Sequence, residues 1–146
     1  MRAFMLVLML FVVMACDTNP APDEGKADRL AAAFVEAIHA KDYAKAFTMV
    51  DTEVFFGSHS QSEWEAYFDG MYEILGKKES SRLKNKLNDM RLSGTFFMYE
   101  YVSKHEKGLS KELVTIVHQI NTGAAPLKVF SYKVDSSKLQ KLNQFW

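Results

Sequence analysis

Apolar residues fall into three regimes along this chain: continuous from Ala3 to Ala15, recurring every three or four positions over the next stretch, and alternating after Gly94. The middle regime predicts helices. Ala27, Leu30, Ala31, Phe34 and Ile38 form one stripe of a helix from about Lys26 to Ala40. Lys41-Asp42 breaks it, and Asp42 is placed to cap a short second helix from Tyr43 to about Val50, with Ala46, Phe47 and Val50 inward. Asp51 to Ser60 reads as a loop carrying an apolar plug, Val54-Phe55-Phe56. Ser62-Glu63-Trp64-Glu65 fits a capping box for a third helix. Its inner face would be Trp64, Tyr67, Phe68, Met71, Ile74 and Leu75, and Gly76 is placed to end it.

The alternating regime predicts strands. Thr95 to Ser103 is aromatic-rich, Glu112 to Ile120 puts Val114, Ile116, His118 and Ile120 on one side, and Leu127 to Val134 follows. Lys107-Gly108 and residues 121–125 are hairpin-sized turns. Glu79 to Arg91 fits either element: Leu83, Leu87 and Met90 suit a helix, while Arg82, Lys84 and Lys86 alternating with leucines suit an exposed strand. Helices followed by hairpin-linked strands predict an α+β fold with an antiparallel sheet. Residues 136–146 read as a polar tail with an apolar end.

The continuous regime differs in kind. Met1-Arg2 precedes 13 apolar residues, too few to span a bilayer, which takes about 20. Val13-Met14-Ala15-Cys16 resembles the lipobox of bacterial lipoproteins, so residues 1–15 are expected to be a signal peptide and Cys16 the lipid-carrying first residue of the mature chain. Cys16 is the single cysteine, so no disulfide can form within the chain. About two acyl chains give stable attachment, and the resemblance implies at least that many. The address implied is the cell envelope, facing the periplasm. Asp17, after the lipidated cysteine, resembles an inner-membrane retention signal. Residues 16–25, proline-rich and polar, read as a tether.

Residues 27 to 134 also resemble uncharacterised bacterial domains of the cystatin-like, or nuclear-transport-factor-2-like, superfamily. The matching residues are Asp42-Tyr43, Ala46, Ser62 with Trp64, Leu75-Gly76, Glu112-Leu113-Val114 and Tyr132-Lys133-Val134. The resemblance implies N-terminal helices packed on a curved antiparallel sheet of three to four strands, within a domain from 26 to 135. It also implies that the ambiguous stretch is the first strand from Ser80 onward. The tryptophan-glycine turn usual before the last strand is replaced by Ala124-Ala125-Pro126.

Charge and chemistry narrow the function. Without Arg2 the mature 131 residues hold 17 basic and 18 acidic side chains, so no basic excess draws nucleic acid. His39, His59, His105 and His118 lack metal-ligand spacing, and no metal or cofactor is expected. Gly57-Ser58-His59-Ser60 reads as a polar loop before a helix cap. The basic run from Lys77 to Arg91 reads as a solvated face, with lipid headgroups as the alternative contact. Enzymes of the superfamily often use an aspartate or histidine with tyrosines between helix and sheet. His118, Tyr99, Tyr101 and Tyr132 are therefore the pocket candidates. No catalytic constellation stands out, so the leading expectation is a non-enzymatic binding or adaptor domain. Its partner would be an envelope protein or a small apolar ligand. The alternative is a small cavity enzyme, an isomerase or hydrolase, using His118.

Overall fold

A computed structural model describes residues 23–119 and 126–144. The signal segment, Cys16, most of the tether and the turn at 121–125 lie outside the described residues. The chain forms α1 (Glu24–His39), α2 (Tyr43–Thr48), α3 (Thr52–Phe56) and α4 (Gln61–Leu75). Strands β1 (Lys78–Arg91), β2 (Gly94–His105), β3 (Gly108–Gln119) and β4 (Lys128–Asp135) follow, then α5 (Gln140–Asn143). The strands pair antiparallel in the order β1-β2-β3-β4. The fold is α+β, helices packed on one face of an open antiparallel sheet, as the patterning predicts.

Local chemistry sets each boundary. Asp23, Asp42 and Asp51 accept hydrogen bonds from the amides of Lys26, Lys45 and Val54, which caps α1, α2 and α3. The first cap sits two residues earlier than expected, so the tether is shorter. The third corrects the expected loop: Val54-Phe55-Phe56 belongs to a helical turn, and Phe55 is buried. The capping box on α4 is Ser60 with Glu63, two residues before the expected Ser62 start; the Ser60 amide donates 2.6 Å to the Glu63 carboxylate. Gly76, at φ 76°, ends α4.

The ambiguous stretch is strand β1, mostly exposed on both faces. Its pattern was ambiguous because an edge strand without a buried face has no reason to keep period two. Register shifts at Lys78/Ser80, Leu83/Asn85 and Thr115/Ile116 bend the sheet around the helices. Gly94 is needed where β2 passes β3: a Cβ there would lie 2.4 Å from the His118 carbonyl oxygen. The expected tail contains α5, and Leu139 just before it is fully buried.

The core lies between helices and sheet. Ala27, Ala31, Phe34, Val35 and Ile38 of α1 and Phe68, Met71 and Leu75 of α4 meet Phe97, Tyr99, Val114, Ile116, Val129 and Val134. Phe34 is the hub, edge-on to Phe55 at 5.7 Å and to Tyr132 at 5.3 Å. Trp64 is half-buried and not fully enclosed against the sheet as an inward-facing residue would be. Its ring packs on Phe55, Tyr67 and Phe68.

Candidate functional site: an aromatic cleft beside a buried carboxylate

Two features meet at Tyr132. The first is interior. Glu112 shares the inward face of β3 with Val114 and Ile116, opposite Tyr101 on β2 and Val134 on β4. It is fully buried. Its Oε2 accepts 2.6 Å from the Tyr132 hydroxyl and lies 2.9 Å from Nε2 of His39, in the last turn of α1. An ionised carboxylate only accepts, so the imidazole presents Nε2–H to it.

Burial opposes charge on Glu112. The His39 hydrogen bond and field, helped by the Tyr132 hydroxyl, outweigh burial and bring its pKa down from 4.5 to about 2. The other oxygen, Oε1, is buried without a hydrogen-bond partner, since Ser103 commits its hydroxyl to Ser81 at 2.9 Å. Burial, then the adjacent negative charge, pushes the Tyr132 phenol well above its ordinary value.

A second buried histidine stands next to this unit. The His105 ring lies 5.3 Å from that of His39. Its Nδ1 faces the Gly76 carbonyl at 3.4 Å and its Nε2 the Ser110 hydroxyl at 2.8 Å. A carbonyl only accepts, so Nδ1 carries the proton and Ser110 donates to Nε2. Burial and the His39 field lower its pKa and favour this neutral form. The solvent exposures of the His39 and Glu112 side chains are 5% and 0%, so no substrate reaches the pair.

The second feature is open. A cleft of about 710 Å³ runs between α3, α4, β4 and α5. It is lined by Phe55, Phe56, Trp64, Tyr67 and Tyr132, by Ser136, Gln140 and Asn143, and by the ionisable His59, Lys133 and Asp135. Its volume falls in the range of roughly 300–1,000 Å³ usual for small-molecule sites. Tyr67 donates 3.0 Å to Asn143, which in turn donates 2.9 Å to the Val134 carbonyl, tying α4, α5 and β4 into one wall. Burial raises the Tyr67 phenol to about 12, so it stays a neutral donor.

The candidate residues from the sequence separate in space. Tyr132 joins both features. Tyr99 and Tyr101 stack at 6.5 Å, and Tyr99 donates 2.8 Å to Asp28, which also binds Lys86. His118 is half-buried opposite Thr95, towards the β1–β2 turn and apart from Glu112 and Tyr132. Sequence reasoning missed His39 and Glu112. The available signal was Glu112 itself, a charge at the inward parity of Val114 and Ile116. Among the described residues, no cluster of three His, Cys, Asp or Glu side chains is arranged to hold a metal.

No family model and no curated protein matches the chain. Solved structures do. A Catenulispora acidiphila protein is similar over 76% of this chain and 88% of its own, with 10% identity and a TM-score of 0.52. Bdellovibrio bacteriovorus Bd1075 is similar over 76% of this chain, with 12% identity and a TM-score of 0.50. The match spans 40% of the Bdellovibrio protein's length. At these identities the likeness concerns the fold alone.

Proposed function

We propose that this protein is an envelope lipoprotein, anchored through lipid on Cys16 and facing the periplasm, whose domain binds apolar groups in the aromatic cleft. The occupant is a small apolar ligand or the apolar side chains of an envelope partner. Asp17 favours the inner membrane as its address. The observation that carries the reading is the division of labour at Tyr132. Its hydroxyl is committed inward to Glu112, while the cleft is walled by its ring and four further aromatic side chains. Such a wall offers a large apolar area to a ligand, with His59, Lys133 and Asp135 as polar groups at its border. His118, the residue on which the cavity-enzyme alternative rests, does not line this cleft.

The test is a photo-crosslinking amino acid at Phe56 in the native envelope, read by mass spectrometry alongside binding of an apolar fluorophore to the purified protein. A defined adduct, or micromolar fluorophore binding weakened by Trp64→Ala, is expected. Neither adduct nor binding, in a protein that remains folded, would remove the cleft as a binding site. Radiolabelled palmitate incorporation that survives Cys16→Ser would remove the anchor.

A further inference from the structure

The β1–β2 turn presents apolar side chains where hairpin turns ordinarily carry polar residues or glycine. Leu92, at its apex, is 98% exposed, and Met90 beside it is 76% exposed. Leu87, further down β1, is 57% exposed.

The turn also lies at a particular end of the domain. Helix α1 runs from this end of the sheet to the other. Its first residue, Glu24, binds Lys86 at 2.5 Å and lies beside Asn88, while His39 at its far end packs on His105. Asp28 adds a 2.6 Å contact to Lys86, and the Lys86 ammonium lies 5.8 Å from the centre of the Tyr99 ring. The chain therefore leaves the domain towards its N-terminus beside Asn88. Four residues of strand, roughly 13 Å, separate Asn88 from Leu92.

From these positions we propose that the β1–β2 turn is a second membrane contact, with Leu92 and Met90 seated at the bilayer interface. The inference rests on the lipid anchor at Cys16. Cys16 stands seven residues before Asp23, which spans at most roughly 25 Å. An anchor that short holds the Glu24 end of α1 against the membrane, and the turn projects from that same end. The charges there balance: Lys26, Arg29, Lys86 and Arg91 stand against Asp23, Glu24, Asp28 and Asp89. Attraction to anionic headgroups is therefore not the driving term, and burial of the two apolar side chains is. The contact would fix the domain's orientation, so that the cleft between α3, α4 and β4 is presented at a constant angle.

A nitroxide label at Leu92→Cys in the mature lipidated protein, reconstituted in phosphatidylcholine vesicles, tests this. Mass spectrometry of the N-terminal peptide establishes acylation of Cys16 in the same sample. Leu109 is the control: it is 63% exposed and is the second residue of β3, at the opposite end of the sheet. The residue-92 label is expected to be accessible to oxygen and shielded from aqueous nickel, at low and high salt alike, and the Leu109→Cys label to stay in water. Met90→Asp should raise nickel access at residue 92 by about threefold or more. If Cys16 is acylated but the two labels behave alike, or salt strips the contact, the turn's role is overturned and the anchor stands. If Cys16 carries no acyl group, both are overturned.

Discussion

The interior carboxylate and the aromatic cleft share Tyr132 and use it in opposite ways. Inside, its hydroxyl helps hold a fully buried charge. Outside, it forms part of the lining of the open cleft. The difference teaches which group to associate with which role. A carboxylate, two imidazoles and a phenol within one core look like an active site by composition. Sealed from solvent, they bind α1, β3 and β4 to each other. The cleft, open to solvent and bordered by His59, Lys133 and Asp135 as well as its aromatic side chains, is the accessible feature.

The sharpest way to break this contrast is His39→Ala. It leaves Glu112 buried with Tyr132 as its remaining direct partner, and stranding one member of a buried pair costs about 3–5 kcal/mol. Urea denaturation measures it. A loss below about 1 kcal/mol would mean that water reaches the carboxylate and the interior is not sealed.

Acid titration comes next. The folded-state pKa of Glu112 is about 2 against 4.5 for the ordinary group. Its depressed pKa therefore stabilises the fold above about pH 4.5, and that stability is lost as pH falls towards 2. The shift corresponds to about 3 kcal/mol. His105 adds a smaller loss of the same sign, beginning near pH 6.5, because the unfolded chain takes up its proton first. Glu112→Gln is expected to flatten the slope below pH 4.5 in denaturation curves recorded across pH. An unchanged slope would place the acid sensitivity elsewhere.

Tyr132→Phe separates the two roles within one residue. Losing a hydrogen bond to a charged acceptor is expected to cost about 1.5–3 kcal/mol, while apolar fluorophore affinity in the cleft stays the same. Loss of fluorophore binding in a folded variant would show that the hydroxyl faces the ligand. Trp64→Ala should have the smallest effect on stability, about 1–2 kcal/mol, because the ring is half-buried, compared with about 3–5 for Phe34→Ala in the core. Its effect on fluorophore binding should be the larger. A stability loss equal to that of Phe34→Ala would make Trp64 a core residue and weaken the case for the cleft.

Local pattern was enough for α1, α2, α4 and β2 to β4, and for their order. Asp42 marked the start of α2 and alternation in β3 marked Val114 and Ile116 as inward, because capping and amphipathicity are local and leave a mark within a few residues; the caps at Asp23, Asp51 and Ser60 emerged only from the structure. Local pattern left β1 open, since an edge strand solvated on both faces carries no burial period, and it left Val54-Phe55-Phe56 as a loop because one turn of helix is too short to show one. The inner site required tertiary structure. His39 and Glu112 are 73 residues apart, and only the packing of α1 across β3 brings imidazole and carboxylate to 2.9 Å. The cleft is likewise assembled from four elements distant in the chain, so none of its walls announces it alone. Periodicity records which face of an element is buried; which buried faces meet is decided by the sheet's register and curvature.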